Sequence, residues 1–413
     1  MATKYKYESG KTYLSETTPI RVSNLPRSCK VMVRQNGQLC GEHKVVQTPG
    51  LQTITIKKPT IYSLIYDKSV SNSSSCLTYS GACTGFTPMS GSTENSWAQG
   101  NGTIFDAIQV GYVYLGNWVS QSKSAVPGST DYNCFTRIPR IYQKVTKLDT
   151  NRVQLDIALE PFNGATLHPA FIRDGVAMNN RYIGRYLASV GGGTLRSRSG
   201  TTVAASYTRA QFRDYAKATG EQYGLAKYWD WDLCNKLYLF AYKNFDSQSA
   251  LGTGYRSGSS VKTTGTSNSK SWMYTGSSTS TSMSFLGIED YYGNAWWFID
   301  DFYGTGGTFY AGSNSYPTDD TNNKVIVGKN LTTTYYPLSV KGTLNGFSLA
   351  NTSGTSTNSI TKNQQLFDSD SSNVGRVGGY YASNTDAGMF YLNASISPSS
   401  TSSYVSARLC YSD

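Results

Sequence analysis

Between residues 17 and 66 apolar side chains alternate with polar ones, or run together, over short stretches. They are Pro19-Ile20-Arg21-Val22-Ser23, Lys30-Val31-Met32-Val33-Arg34, Lys44-Val45-Val46-Gln47, Gln52-Thr53-Ile54-Thr55-Ile56 and Ile61-Tyr62-Ser63-Leu64-Ile65-Tyr66. Turn signals such as Asn36-Gly37 and Pro49-Gly50 separate them. A period of two, punctuated by Gly, Pro and Asn, predicts strands and hairpins, so residues 1–68 read as a small all-β domain. Residues 69–135 turn rich in Ser, Gly and Thr, and apolar periodicity returns from Ile104 to Leu115. They read as a connecting region with some strands. From about residue 136 the texture changes again. Thr208-Arg209-Ala210-Gln211 is a capping-box pattern before Phe212, Tyr215 and Ala216, with Gly220 as a stop, and predicts a helix over 208–219. Asp230 precedes Leu233, Leu237, Phe240 and Ala241 at helical spacing, which predicts a second helix over 230–243. Beyond residue 250, short aromatic runs in Gly/Ser/Thr-rich sequence predict short strands and long loops. The fold class is therefore α+β, with 136–413 as the larger domain.

Composition narrows the classes. Only 15% of the 413 residues are charged, against about 25% in an ordinary soluble domain, and the 32 Tyr outnumber the 15 Phe. Such a chain is too aromatic to be disordered, and no uncharged apolar run approaches the roughly 20 residues of a membrane span. The N-terminal residues lack an apolar secretory segment, so folding in a cytoplasm is expected. Seven cysteines (Cys29, Cys40, Cys76, Cys83, Cys134, Cys234 and Cys410) include no CxxC pair and read as reduced, buried small hydrophobes. The net charge of +11 is concentrated at one end: residues 1–70 hold 11 Lys/Arg against 4 Asp/Glu. The last 48 residues hold only Arg376 and Arg408 against Asp368, Asp370, Asp386 and Asp413. A nucleic-acid partner is not predicted, because the basic end and the polar-aromatic end are different ends.

Several chemistries fail on residue count or spacing. Two histidines, His43 and His168, cannot build a multi-His metal site, and His168 in Leu167-His168-Pro169 reads as a structural residue bonded to nearby backbone. No G-x-S-x-G elbow occurs, and Gly10-Lys11-Thr12 lacks the first glycine of a phosphate loop. Asp368-Ser369-Asp370 opens like a calcium loop, yet Asn373 stands at the glycine position and Gly379 at the closing Glu. Glu289, Asp290, Asp300 and Asp301 have the residue types for a hard cation or acid-base work, but read first as loop carboxylates bonded to backbone amides. No cofactor or metal is expected.

One segment is more specific. The run Phe285-Leu-Gly-Ile-Glu-Asp-Tyr-Tyr-Gly-Asn-Ala-Trp-Trp-Phe-Ile-Asp-Asp301, with Gly287, Asp290, Gly293, Asn294, Trp296 and Trp297 as landmarks, resembles the core of certain C-type-lectin-like domains. These are the domains shared by formylglycine-generating enzymes and the variable proteins of diversity-generating retroelements. His168-Pro-Ala-Phe with Tyr182-Ile-Gly-Arg-Tyr resembles the opening of such a domain, and the stretches from Arg376 to Tyr380, Ala387 to Leu392 and Ala407 to Cys410 resemble its closing strands. The resemblance covers roughly residues 136–413.

It implies a scaffold of Gly287, Asp290, Gly293, Asn294, Trp296, Trp297, Gly378, Gly379, Gly388 and Phe390, the tryptophans in core roles. It also implies a displayed set of Tyr380, Tyr381, Ser383, Asn384, Thr385, Asp386, Tyr391, Asn393, Ser395 and Ser397. A Tyr/Ser/Asn mixture of this kind is what antibody-like paratopes use. The enzyme branch depends on a pair of reactive cysteines, whereas here Cys410 stands alone near the C-terminal end. The binding branch implies a phage tail-fibre or receptor-binding protein on the virion, assembled in the host cytoplasm. It would dock to other tail proteins through the N-terminal domain, form a homo-oligomer, a trimer by analogy, and bind a protein or glycan receptor on a bacterial surface without entering the membrane. The alternatives are an architectural virion protein with no ligand and a formylglycine-generating-type enzyme using Cys410.

Overall fold

In the computed structural model, residues 59–91, 103–369 and 371–412 are described, together with the backbone of strand segments between Thr17 and Thr55. Those early segments form three antiparallel pairs: Thr17–Val22 with Gly50–Thr55, Cys29–Val31 with Lys44–Val46, and Arg34–Gln35 with Gln38–Leu39. The last pair leaves two residues between its strands, where Asn36-Gly37 predicts a hairpin turn.

The described residues are mostly β, with three α-helices, and three sheets carry the body. A five-stranded antiparallel sheet runs in the order Thr166–Leu167, Tyr142–Lys147, Arg152–Ala158, Tyr62–Asp67, Leu77–Gly81. A six-stranded antiparallel sheet runs Asn117–Gln121, Gln109–Tyr114, Cys134–Pro139, Asn180–Gly184, Leu409–Ser412, Tyr223–Leu225. A mixed sheet is built around Trp296–Thr305, Ser371–Val377 and Leu392–Ile396, with Val405–Ser406 parallel to the first of these. These pairings cross the expected boundaries. Tyr62–Asp67, assigned to the first domain, pairs with Arg152–Ala158, and Gln109–Tyr114, assigned to the connector, pairs with Cys134–Pro139. Antiparallel partners some 90 positions apart in sequence thus complete one another's hydrogen bonds.

Helix α1, Arg209–Thr219, starts at its capping box: the Thr208 hydroxyl accepts from the Gln211 amide, and the Gln211 side chain accepts from the Thr208 amide. Helix α2, Tyr228–Tyr242, begins earlier than the expected 230 because Asp230 is its third residue and accepts from the Lys227 amide at 2.7 Å. All fifteen of its residues are buried. A helix buried all round needs partners for its polar groups. Arg181 donates to both Asp230 oxygens at 2.7 Å, and Lys236 donates to Asp232 at 2.6 Å and to Gln143 at 2.7 Å. A single-turn helix α3, Ser247–Ala250, follows, capped by Asp246. No helix among the described residues is long and apolar enough to cross a membrane.

The Gly-Asn-Ala-Trp-Trp segment sits at the centre. Gly287 (φ +78°) completes a two-residue turn between Ser284–Phe285 and Ile288–Glu289, a backbone state that disfavours a side chain. Trp296 and Trp297 alternate across their strand, Trp297 into the main core and Trp296 into a second cluster with Phe298 and Tyr391. The buried Asp290 accepts from the Asn294 amide group at 2.7 Å, and Arg408 donates to the Glu289 carbonyl at 2.7 Å and also to that of Asp290. Burial, then the neighbouring Glu289 carboxylate, push the Asp290 carboxyl up to about 7.

A carboxyl raised in the folded state above its unfolded value of about 3.9 takes up a proton on folding, so its contribution to stability falls as pH rises between those values. Asp290→Asn keeps the left-handed backbone state (φ +47°) that Asn tolerates. Chemical denaturation from pH 4 to 8 is expected to show the parent losing up to a few kcal/mol relative to Asp290→Asn as pH approaches about 7. A constant difference across that range contradicts the assignment.

Candidate functional site

The tail from Ser371 to Tyr404 is laid over the central segment and fastened from below. Gly293 N–H donates to the Gly378 carbonyl at 3.2 Å, Tyr381 N–H to the Asn294 carbonyl at 3.0 Å, and Gly378 N–H to the Tyr391 carbonyl at 3.0 Å. From α2, Trp231 Nε1 donates to the Met389 carbonyl at 2.9 Å. From α3, Gln248 Nε2 donates to the carbonyls of Asn384, Thr385 and Ala387 at 3.1, 3.2 and 2.6 Å. Buried Asn363 donates to the Ala387 carbonyl at 3.1 Å, and at Gly388 a Cβ would fall 2.3 Å from its Oδ1, so only glycine fits there. Phe390 packs in the main core against Tyr238 and Phe245, and Gly379 turns the chain (φ +85°) into Tyr380.

Above this floor lies a continuous aromatic and polar face. Tyr380 and Tyr404 stack with centroids 4.4 Å apart and planes at 23°, and Tyr381 meets Tyr380 edge-on at 5.1 Å. Tyr391 covers Trp296 at 4.4 Å, and the Arg376 guanidinium carbon lies 5.0 Å from the Trp296 ring centroid. The register sets Arg376 opposite Asn393 and Phe298, and a bulge between Val374 and Arg376 re-aims the end of the neighbouring strand. At the other side of the face, Gln364 donates to the Tyr336 hydroxyl, which donates to Asp386 at 3.4 Å. Burial raises the Asp386 carboxyl, partly offset by that hydrogen bond. Burial also raises the Tyr380 and Tyr391 hydroxyls and lowers Arg376.

The ten residues expected on the displayed face divide by burial. Asn384, Thr385 and Ser397 are exposed, and Tyr380, Tyr381, Asp386 and Ser395 are half-buried. Ser383, Tyr391 and Asn393 are buried and act as supports. The Ser383 hydroxyl accepts from the Tyr380 amide at 2.9 Å, Tyr391 lies on Trp296, and Asn393 accepts from the Ser395 amide and hydroxyl at 3.1 and 2.9 Å. Arg376, Tyr404 and Tyr336 belong to the face and are absent from the expected set. Residue type alone singles out neither Arg376 in the closing strands nor Tyr404 beyond Ser397. Tyr336 lies some 45 residues upstream and gives no local signal.

Comparison with known proteins adds little. No protein-family model matches the chain, and no curated protein matches it. Among solved structures, the Major Tropism Determinant M1 variant superposes over 95% of this chain and 82% of its own at 12% identity and a TM-score of 0.31. The P3c variant does so over 94% and 86% at 12% identity and 0.30, and the U1 variant over 95% and 82% at 13% identity and 0.30. Each is a loose superposition of chains that share few residues.

The remaining candidate chemistries resolve into supports. The imidazole of buried His168 accepts from the Ala170 amide through Nδ1 at 3.2 Å, which leaves the proton on Nε2 to donate to Asp232 at 3.1 Å. Glu289 accepts from the amides of Gly265 and Ser267 at 2.7 and 2.6 Å, Asp300 is paired with Arg213 at 2.6 Å, and Asp301 with Lys324 at 3.2 Å. Among the described residues no cluster of three or more His, Cys, Asp or Glu side chains is set to hold a metal ion. Cys410 is 0% exposed, and burial pushes its thiol up to about 12, which removes the thiolate a nucleophile needs. Cys76, Cys83, Cys134 and Cys234 are buried likewise, each thiol raised by burial. Brief iodoacetamide treatment of the folded protein at pH 8, followed by peptide mass mapping, is expected to leave these five unlabelled and to label them all after unfolding. Rapid native labelling of Cys410 contradicts this.

Proposed function

We propose that this chain is a phage receptor-binding protein. Its C-terminal region has the C-type-lectin-like organisation that the Gly-Asn-Ala-Trp-Trp segment resembles, and it presents the Tyr380/Tyr381/Tyr404 face with the 382–387 loop to a receptor on a bacterial surface. The observation that carries this reading is the division of labour in the tail. Buried Trp296, Tyr391, Asn363 and Ser383 support the tail, while Tyr381, Asn384 and Thr385 reach outward, Asn384 making one local bond to the Ala382 carbonyl at 3.3 Å. Tyrosine brings contact area at small entropy cost, and Asn, Ser and Thr bring adaptable hydrogen bonds, so the face suits recognition. The same division lets the outer side chains be exchanged between variants with little effect on folding. The reading includes the virion as location, contact with other tail proteins through the N-terminal strands, and a homotrimer.

Two measurements test it. Labelled full-length protein is added to a panel of bacterial strains beside the Tyr381→Ala/Asn384→Ala/Thr385→Ala form, with equal melting temperatures as the folding control. The parent is expected to adsorb to a subset of strains and the variant at least tenfold more weakly, since interface anchors commonly cost about 2 kcal/mol or more when truncated. Equal adsorption by both moves the binding surface elsewhere, and adsorption to no strain favours a purely architectural role. Light scattering is expected to give three times the 45.1 kDa chain mass, because several weak faces acting together raise avidity about 10²- to 10⁴-fold. A monomer at micromolar concentration overturns the trimer.

A further inference from the structure

We propose that Arg376 is the anchor of this face and takes a carboxylate side chain, Asp or Glu, from a protein receptor. The proposal rests on reading the face as receptor-binding and names the chemistry it captures. Arg376 projects from Ser371–Val377 among Trp296, Tyr380, Tyr391 and Tyr404, half-buried. Its Nε is buried and has no hydrogen-bond partner, and among the described residues no acidic side chain pairs with its guanidinium. Two other guanidiniums, those of Arg181 and Arg213, are answered by carboxylates from within, Arg181 by both oxygens of Asp230 and Arg213 by Asp300 and Asp319. The face's own carboxylate, Asp386, is engaged by Tyr336.

A partly desolvated guanidinium with unmade hydrogen bonds is costly in the free protein and gains most from a charged acceptor. A carboxylate meets its planar fork with two parallel bonds, and rings that restrict its rotamers reduce the ordering cost on binding. The surrounding wall favours a slender group. Trp296 is 2% exposed beneath Tyr391 and Arg376, and Tyr380 and Tyr404 use facing sides on one another, so these rings serve as walls rather than as a platform for a sugar ring.

The test has two arms on the full chain. In the first, arginine side-chain Nε–H resonances of ¹⁵N-labelled protein are followed during titration with sodium acetate or with neutral acetamide, the Arg376 signal being identified by its loss in Arg376→Gln. A saturable shift with acetate alone is expected, and an unmoved signal overturns the anion site. In the second, strains that adsorb the parent receive Arg376→Gln and Arg376→Lys, both with parental melting temperatures. Gln is expected to weaken adsorption about thirtyfold or more, with Lys recovering only part because it lacks the planar fork. Unchanged adsorption with Gln overturns the anchor while the receptor reading stands. Adsorption to no strain, together with the acetate shift, removes the receptor reading and leaves the carboxylate site. Protease treatment of the cells is expected to abolish adsorption. Adsorption that survives protease but is lost after periodate identifies an acidic glycan and overturns the protein source.

Discussion

The fully buried guanidinium of Arg408 ties the end of the described chain to its middle. It donates to the carbonyls of Gly184 and Arg185 at 3.4 and 3.3 Å, to that of Glu289 at 2.7 Å, and to that of Asp290. Its carbon lies 5.6 Å from the Trp297 ring centroid. Burial lowers it to about 10, and the neighbouring Asp290 works against that shift. A buried charge persists only where fixed dipoles and counter-charges replace its water, so this geometry requires three distant segments to be in place together. Two of them are the strand Asn180–Gly184 and the turn that leads into Gly-Asn-Ala-Trp-Trp. The third is the start of Leu409–Ser412, which lies between Asn180–Gly184 and Tyr223–Leu225.

That constraint explains how a tail rich in Ser, Tyr and Gly is held in one conformation. With the last strand fixed inside a sheet and Gly293 bonded to Gly378, the chain between Gly378 and Arg408 is anchored at both ends. Gln248, Asn363 and Trp231 then bind its carbonyls from the helical side. The loop's backbone polar groups are thus satisfied partly by these residues outside the loop and partly by bonds within it, such as that from the Tyr380 amide to Ser383. Thr385 and Ser397 stay exposed above this support.

How much of this the sequence discloses depends on the range of each interaction. The capping box of α1 is local, and it is legible. The start of α2 is less so, because an acidic residue serves equally as the cap or as the third residue, and here Asp230 is the latter. Sorting the tail by residue type identifies a Tyr/Ser/Asn surface but cannot tell Ser383, which closes a turn inward, from Thr385, which faces out. Strand pairing between Tyr62–Asp67 and Arg152–Ala158, across the expected boundaries near 68 and 135, leaves no mark in either segment alone. Arg376 is the sharpest case. In sequence it is one basic residue between Gly375 and Val377, and only the register with Phe298 and Asn393 sets it among aromatic rings.

The same packing gives the face its physical character. Stacked and edge-on tyrosines hold one another's orientations, so ring contacts that a flexible loop would have to form on binding already exist between Tyr380, Tyr381 and Tyr404. Around them the polarity is graded, with hydroxyl and amide groups at Ser395, Tyr336 and Gln364, freely exposed Asn384 and Thr385, and a single cation at Arg376. A binding surface with rigid aromatic area at its centre and adaptable polar groups at its edge draws affinity from the former and discrimination from the latter. Under the proposed receptor-binding function, exchange of the edge residues alters which partner fits while the aromatic centre, fastened to Trp296 and the central segment, keeps its shape.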